Sequence, residues 1–454
     1  MYARFIQTLT IVMMCCGFLA PAAGAGEATN KSLVAERKQA IETLLAQEID
    51  DLVALYKHLH AHPELSLEEK ETAARLAKEL QSLGFDVTTG VGGHGVVGIF
   101  KNGPGPIVMV RADMDGLPIV EQTGLPYASK VKTRDRAGNE VGVMHACGHD
   151  INMANLIGTS RMLMALKDQW RGTLMCVGQP AEEIGAGARM MLDDGLFKRW
   201  PKPDFALGLH CDARFPHGTI NYREGLMQAN VDSVDIMVRG RGGHGAAPHA
   251  TIDPIVLAAR IILDLQTIVS RERNPNDPVV VTVGSIHGGT KHNIIPNEVK
   301  LQLTVRTTKD DVRKEVLESI ARIAKAAALG ARAPEPVVKI DPGEFTPALY
   351  NDPELTRRLM SVFRAALSED KVHERPMSMG GEDFSRYGRA GVTSCYFFLG
   401  TVPPERVAES RRPNGRPLPS AHSDSYYPIP KPTLETGVLA MTLAVLDLLG
   451  KEAE

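Results

Sequence analysis

Residues 142–150 read GVMHACGHD, placing a cysteine, two histidines and an aspartate within six positions and separating them with small residues. A thiolate and an imidazole in Cys147-Gly148-His149 can bind a borderline-soft cation such as zinc, and Gly148 lets the backbone bend enough for both to point inward. Alone, a Cys-x-His triplet is more often packing than a metal site. Support comes from Glu182-Glu183, which follow the apolar run TLMCV. Adjacent carboxylates repel unless a cation or a shared proton neutralises them. One can ligate while the other acts as base on metal-bound water, whose acidity the ion has already raised; the bland alternative is a solvated turn. His210 closes the run DFALGLH, and SAHSD supplies His422. A single histidine is usually a satisfied surface or core residue. Cys147, His149, a glutamate, His210 and His422 together would fill one closely spaced pair of divalent ions, with positions left for water and a substrate carbonyl.

For these residues to meet, the fold must bring distant segments to one edge. SLVAERKQAIETLLAQEIDDLVALYKHLHAHPEL reads as a helix, and LEEKETAARLAKELQSLG as a second, amphipathic one stopped by Gly84. The short apolar runs VVGIF, PIVMVRAD, TLMCVGQPAEE and DFALGLH alternate with helical segments such as MANLIGTSRMLMALK. That alternation predicts an α/β fold with a mostly parallel sheet flanked by helices. In such sheets ligands bind beyond the carboxyl ends of the strands, where Asp113, Glu182, Glu183 and His210 would fall. From residue 226 the pattern changes: VDSVDIMVRG, a helix, VVVTVGSI, EVKLQLTVRT and a second helix describe a compact α+β module completed by VVKI. It reads as an insertion over residues 226–340, dividing a main domain into residues 26–225 and 341–454. The loop VPPERVAESRRPNGRPLPSAHSD is long enough to suggest a functional surface or disorder.

The chain has 454 residues, with 51 Lys and Arg against 54 Asp and Glu, a net charge of −3. Two domains are the default at this length, and the charge offers nothing to a nucleic acid. Residues 1–25 carry one early Arg4, an apolar run and small residues around Ala23-Gly24-Ala25. That is the layout of a signal peptide cleaved near Ala25, which predicts a periplasmic or secreted protein. The run is short of the roughly 20 residues a spanning helix needs, so no membrane span is expected in the mature chain. Four cysteines remain after the leader, too few for a disulfide scaffold in a chain of this size.

HAHPELS, RADMDGLPI, MHACGHD, QPAEEIGAGA, GRGGHGAAPH, HNIIPNEV, GGEDFS and AHSDSY occur in this order. This series resembles the metal-dependent amidohydrolase family of hippurate hydrolase and the indole-acetyl-amino-acid (auxin conjugate) hydrolases, related to aminoacylase and carboxypeptidase-type peptidases. The resemblance runs from about residue 49 to 448. It implies a dinuclear metallopeptidase-like fold, with the insertion as a ferredoxin-like lid through which subunits pair as a homodimer. It implies Cys147, His149, Glu183, His210 and His422 as ligands of two divalent ions (zinc, manganese, cobalt or nickel), and Glu182 as general base. Asp113 matches a carboxylate that backs the metal site, while Arg111 stands where wider relatives place a metal-binding histidine. His244 resembles a lid histidine that steadies the oxyanion, in some relatives from a neighbouring subunit. Asn293 and Arg306 would face the substrate, Arg306 binding a carboxylate through its two-pronged guanidinium; it could equally be solvent-facing. His60 and His62 read as structural, Glu382 and Asp383 as the site rim, and His145 and Asp150 as orienting the cluster. Asn152 departs from the family pattern, which has histidine there.

The implied activity is hydrolysis of the amide of N-acyl or N-aroyl amino acids, with hippurate-like compounds as first candidates. A dipeptidase or carboxypeptidase of the same fold is the nearest alternative, since all share an amide beside a free carboxylate. A periplasmic solute-binding protein, also exported and two-lobed, is the rival from another class; it needs neither paired metals nor a base.

Overall fold

The computed structural model describes residues 23–450. The leader expected over residues 1–25 lies outside the described residues except for its last three, which open the first helix. The chain runs through α1 (Ala23–Ala61), α2 (Lys70–Ser82), β1 (Asp86–Val91), β2 (Gly95–Asn102), β3 (Ile107–Asp113), α3 (His149–Ala165), β4 (Gly172–Gln179), β5 (Phe205–Pro216) and β6 (Ile220–Tyr222). The inserted part holds β7 (Asn230–Arg239), α4 (Pro254–Thr267), β8 (Val279–Gly288), β9 (Glu298–Thr307), α5 (Asp310–Gly330) and β10 (Val337–Ile340). The chain then returns through α6 (Pro353–Leu367), β11 (Val372–Glu374), β12 (Thr393–Val402) and α7 (Pro430–Leu449).

Among the described residues, one eight-stranded sheet has the order β1-β2-β4-β3-β5-β12-β6-β11. Its centre, β4-β3-β5-β12, is parallel throughout, and β2 joins β4 antiparallel. The central strands are buried on both faces, which is why they read as continuous apolar runs rather than alternating ones. One face packs on α1, α3, α6 and α7 through Leu52, Ile157, Phe363 and Val438. The other packs on Met191, Phe384 and Tyr387. α7 is long and apolar enough to cross a membrane, yet 83% of its most apolar stretch is buried inside the fold, against α1 and α3.

Two details differ from the sequence expectation. The second helix starts at Lys70 rather than Leu67, because Leu67 takes a φ of 71° and the Glu69 side chain turns away to accept a hydrogen bond from Ala181 N at 2.7 Å. His210 does not end its strand: β5 continues to Pro216, but its pairing with β3 stops at Gly208 opposite Arg111. The two strands therefore part at the level of His210, and the gap is where polar side chains gather.

β8, β9, β7 and β10 form a separate antiparallel sheet in that order. α4 and α5 cover one of its faces, closing a core around Ile236, Ile261, Leu301 and Ile320. Each such buried aliphatic side chain contributes about 1.5–3 kcal/mol relative to exposure. α4 begins with Pro254 at its first turn, after Asp253 has capped it by accepting from Ile255 N at 2.8 Å. Alternate residues of β7 and β9 leave Ser233, Thr304 and Arg306 on the open face. The two passages between main sheet and insert lie side by side: Gln228 pairs with Leu349, Val231 with Thr346, and Ala348 N donates to Asn230 Oδ1 at 2.8 Å.

Candidate metal centre

Four segments deliver the polar cluster. Gly148 caps α3 with a φ of 88°, and a Cβ there would meet Cys211 Sγ at 2.7 Å, so glycine alone lets the chain reverse between Cys147 and His149. After β4, Ala181 adopts a φ of 52° and turns Glu182 and Glu183 toward the gap. His210 enters from β5. His422 has a φ of 65°, uncommon for a side chain of its size, and its backbone N–H is tied to Ala146 O at 2.8 Å.

The result is one cluster. Cys147 Sγ lies 3.4 Å from His210 Nε2 and 3.2 Å from His422 Nε2. His422 Nε2 is 3.4 Å from Glu183 Oε2, and His149 Nε2 is 3.9 Å from both Glu182 Oε2 and Glu183 Oε1. Among the described residues, four triads have donor atoms within 4.8 Å of one another: Cys147-His149-His210, Cys147-Glu183-His422, His149-Glu182-Glu183 and the all-carboxylate Glu182-Glu382-Asp383. The five side chains expected as ligands thus come together, with Glu182 beside them.

The donor set suits divalent cations. His149 Nδ1 sits 2.7 Å from Asp115 O and His210 Nδ1 2.9 Å from Cys211 O. A carbonyl can only accept, so Nδ1 carries a proton in each ring, and Nε2 is the nitrogen turned toward the cluster that a cation would take in place of any proton there. The buried His149 Nε2 and Glu183 Oε1 have no hydrogen-bond partner among the described residues, a costly condition that a cation would remove. The charges point the same way. Burial, then Glu382 and Glu183, push Glu182 well above the usual carboxylate range. Burial raises Glu183 to about 7 although His149 opposes it. Burial works against protonation of His149, but Asp113 and Asp115 outweigh it and raise its pKa well above the ordinary value. Each shift marks a site short of positive charge, which a bound cation supplies.

Asp113, expected behind the metal site, is fully buried there. It accepts from Asn152 Nδ2 at 2.7 Å and from Arg111 Nη1 at 2.6 Å. Burial raises its pKa, but His149 and Arg111 prevail and hold it well below the carboxylate range. Asn152, where the family pattern has histidine, therefore serves this carboxylate through its amide. Arg111 spans Asp113, Gln179 Oε1 (2.9 Å), Glu382 (3.1 Å) and Asp383 (3.0 Å), so one buried guanidinium joins three carboxylates that would otherwise repel. Glu382 reaches the cleft as expected, but Asp383 is no part of a rim: it lies behind the wall, accepting from Arg111, Gln179 and Ala188 N. His60 and His62 stay out of the metal cluster. His60 is buried between Asp150 (2.7 Å) and Glu121 (3.0 Å), and His62 is exposed. His145 has neither ring nitrogen hydrogen-bonded, and burial lowers its pKa to about 4. The four cysteines of the described residues are buried and unpaired.

Asp115 was not singled out in the sequence. Its two carboxylate oxygens accept from the backbone N–H groups of Glu182 (3.1 Å) and Glu183 (3.0 Å), and the Ser66 hydroxyl donates to it at 2.6 Å. It holds the acidic pair at the height of His149. The only cue was its spacing from Asp113 in RADMD.

A cleft of about 980 Å³ opens over the cluster. Cys147, Glu182, Glu183, His210 and His422 form its floor, and Arg306, Thr304 and Ser233 of the inserted sheet face it from the other side. Arg306 Nε donates to Thr304 Oγ1 at 3.0 Å. His244 and Asn293 are not brought into the cleft of this chain: both are exposed, on and beside the short strand pair Gly243–His244 and Ile294–Ile295.

Comparison with known proteins agrees with this geometry. The model of "Peptidase family M20/M25/M40" matches residues 109–415. Thermostable carboxypeptidase 1 of Saccharolobus solfataricus is 37% identical over 360 residues, covering 78% of this chain and 87% of that protein. N-acetylcysteine deacetylase of Bacillus subtilis is 36% identical over 356 residues, covering 77% and 88%. The crystal structure of the Bacillus subtilis YXEP protein, described as a dinuclear metal-binding peptidase of the M20 family, superposes with a TM-score of 0.69 at 31% identity and covers 89% of this chain and 99% of that one. With sequence and fold both shared across most of its length, the chain belongs to the M20/M25/M40 family of metal-dependent peptidases and amidohydrolases.

Proposed function

We propose that the protein hydrolyses the amide bond of N-acyl or N-aroyl amino acids, hippurate-like compounds among them, with Glu182 as general base. The observation that carries this reading is the placement of Glu182 beside five convergent donor side chains, with Arg306 across the same cleft. Two divalent ions held by Cys147, His149, Glu183, His210 and His422 would polarise the carbonyl and acidify a water. Glu182 takes the proton from the attacking water and returns it to the leaving nitrogen. Arg306 binds the free carboxylate of the amino-acid half and so fixes which carbonyl faces the cluster. Arg111 and Asp115 keep the surrounding carboxylates in place. Several curated relatives are named deacetylases of N-acetylated amino acids, which supports the acyl-amino-acid reading.

A carboxypeptidase activity is the second reading, favoured by the first relative named above. Hydrolysis of N-benzoyl, N-acetyl and indole-acetyl amino acids compared with unblocked dipeptides decides between them. The assignment of the base is tested by Glu182→Gln, which keeps metal and fold but loses about 10²–10⁴-fold in kcat; turnover like that of the unaltered enzyme would overturn it. We place the enzyme outside the cytoplasm on the leader pattern of residues 1–25, and place homodimer contacts on the inserted sheet and its helices, where His244 is exposed.

A further inference from the structure

A second cavity, of about 420 Å³, adjoins the wall of the catalytic cleft. Phe398 links the two: its ring lies 5.8 Å from the His210 ring and 4.1 Å below the Arg375 guanidinium. Arg214, Arg375 and Arg411 line this cavity with Phe215, Pro417 and Leu418, and among the described residues no acidic side chain lines it. Two of these guanidiniums, those of Arg214 and Arg375, share one carboxylate behind the wall, Asp212. Arg214 takes that carboxylate in a two-pronged grip, at 2.9 and 2.8 Å. Arg375 is only 6% exposed, and its Nη1 approaches Asp212 Oδ2 to 3.0 Å without the angle of a hydrogen bond, so this buried donor is unsatisfied. The Arg411 side chain makes no ion pair or hydrogen bond among the described residues.

A buried guanidinium with an unsatisfied donor, which shares its one carboxylate with Arg214, and the unpaired side chain of Arg411 on the same cavity wall define a place that favours an anion. The apolar side chains around it suit a short hydrocarbon or ring attached to that anion. Pro417, Leu418 and Arg411 belong to the same Pro/Arg-rich loop that carries His422, and the proposed hydrolysis uses none of them.

We propose that this cavity binds a small oxyanion, either phosphate or a carboxylate bearing a short apolar group, between Arg375 and Arg411. The site is separate from the catalytic cleft and stands whether or not the proposed substrate is correct. Calorimetric titration of the full-length, metal-loaded protein with inorganic phosphate and, separately, with benzoate tests it. The expected result is saturable binding of at least one probe, weakened about tenfold or more by Arg411→Ala and by Arg375→Gln. Arg412→Ala, an exposed neighbour outside the lining, leaves that binding unchanged. The stronger of the two probes identifies the kind of anion, and heat that persists in both lining variants belongs to the metal centre. Because Arg411 is exposed, its variant folds even where Arg375→Gln does not. Absence of binding for both probes, or curves that Arg411→Ala leaves unaltered, would overturn the proposal.

Discussion

Replacing Asp115 with asparagine changes one oxygen to an amide nitrogen in a buried position where both oxygens accept. The Glu182 N–H lies 3.1 Å from Oδ1 and the Glu183 N–H 3.0 Å from Oδ2. Whichever way the amide turns, it sets a donor against one of these donors. The loss of one hydrogen bond to a charged acceptor is worth about 1.5–3 kcal/mol. Spent on the turn that presents the acidic pair, it amounts to roughly 10- to 150-fold in the population correctly placed. Asp115→Asn is therefore expected to weaken metal binding by about 10–100-fold, the range typical of groups that orient metal ligands. It lowers kcat/KM at limiting metal to a similar extent, while excess metal recovers part of the rate. Metal analysis after dialysis against graded chelator, alongside kcat/KM for an N-acyl amino acid, measures both. Metal retention and kcat/KM equal to those of the unaltered protein would refute the claim that Asp115 sets the height of Glu182 and Glu183.

Removing metal with a chelator should abolish hydrolysis and lower the melting temperature, because buried Glu183 Oε1 and His149 Nε2 are then left without a partner; zinc or manganese restores both, and a chelated enzyme with full activity would remove metals from the account. Arg306→Lys should raise KM for carboxylate-bearing substrates by about tenfold or more with little change in kcat, since a single ammonium cannot replace a two-pronged contact; an unchanged KM would take Arg306 out of substrate binding. Burial opposes the charge on His60, yet hydrogen bonds to Asp150 and Glu121 raise its pKa from 6.5 to about 9. A pKa raised on folding contributes stability that is complete below pH 6.5 and is lost as pH rises toward 9, on the order of 3 kcal/mol for this buried pair. Melting curves of the unaltered protein and His60→Gln should converge between those limits; parallel curves would show that His60 is neutral when folded.

Local spacing makes part of the centre legible in the sequence alone. Cys147-Gly148-His149 announces itself because a glycine between two candidate ligands is informative in three letters, and Glu182-Glu183 because two carboxylates after an apolar strand demand compensation. Arg111 and Asp115 were harder. Their roles depend on partners far along the chain, Asp383 and Glu382 for one and the turn at residues 182–183 for the other, and no short window contains both ends of those contacts. The same holds for His60, whose partners are 61 and 90 residues away. The strand of His210 was read as ending there because its apolar run ends there; what stops is its pairing with β3, a relation between strands rather than a property of one. His244 and Asn293 came from resemblance alone, and on a single chain they remain at an outer surface.

The paired passages at Gln228–Leu349 and Val231–Thr346 have a use in gene surgery. Both ends of the insert emerge next to each other, so a short turn can replace everything between them without rethreading the main sheet. Such a miniature would keep all five donor side chains and Glu182 while discarding Arg306, separating the capacity to load metal from the capacity to grip an acid. By the same logic the excised piece, entering and leaving through one doorway, is a unit that can be exchanged between relatives to carry a preference for one amino-acid half onto another's chemistry.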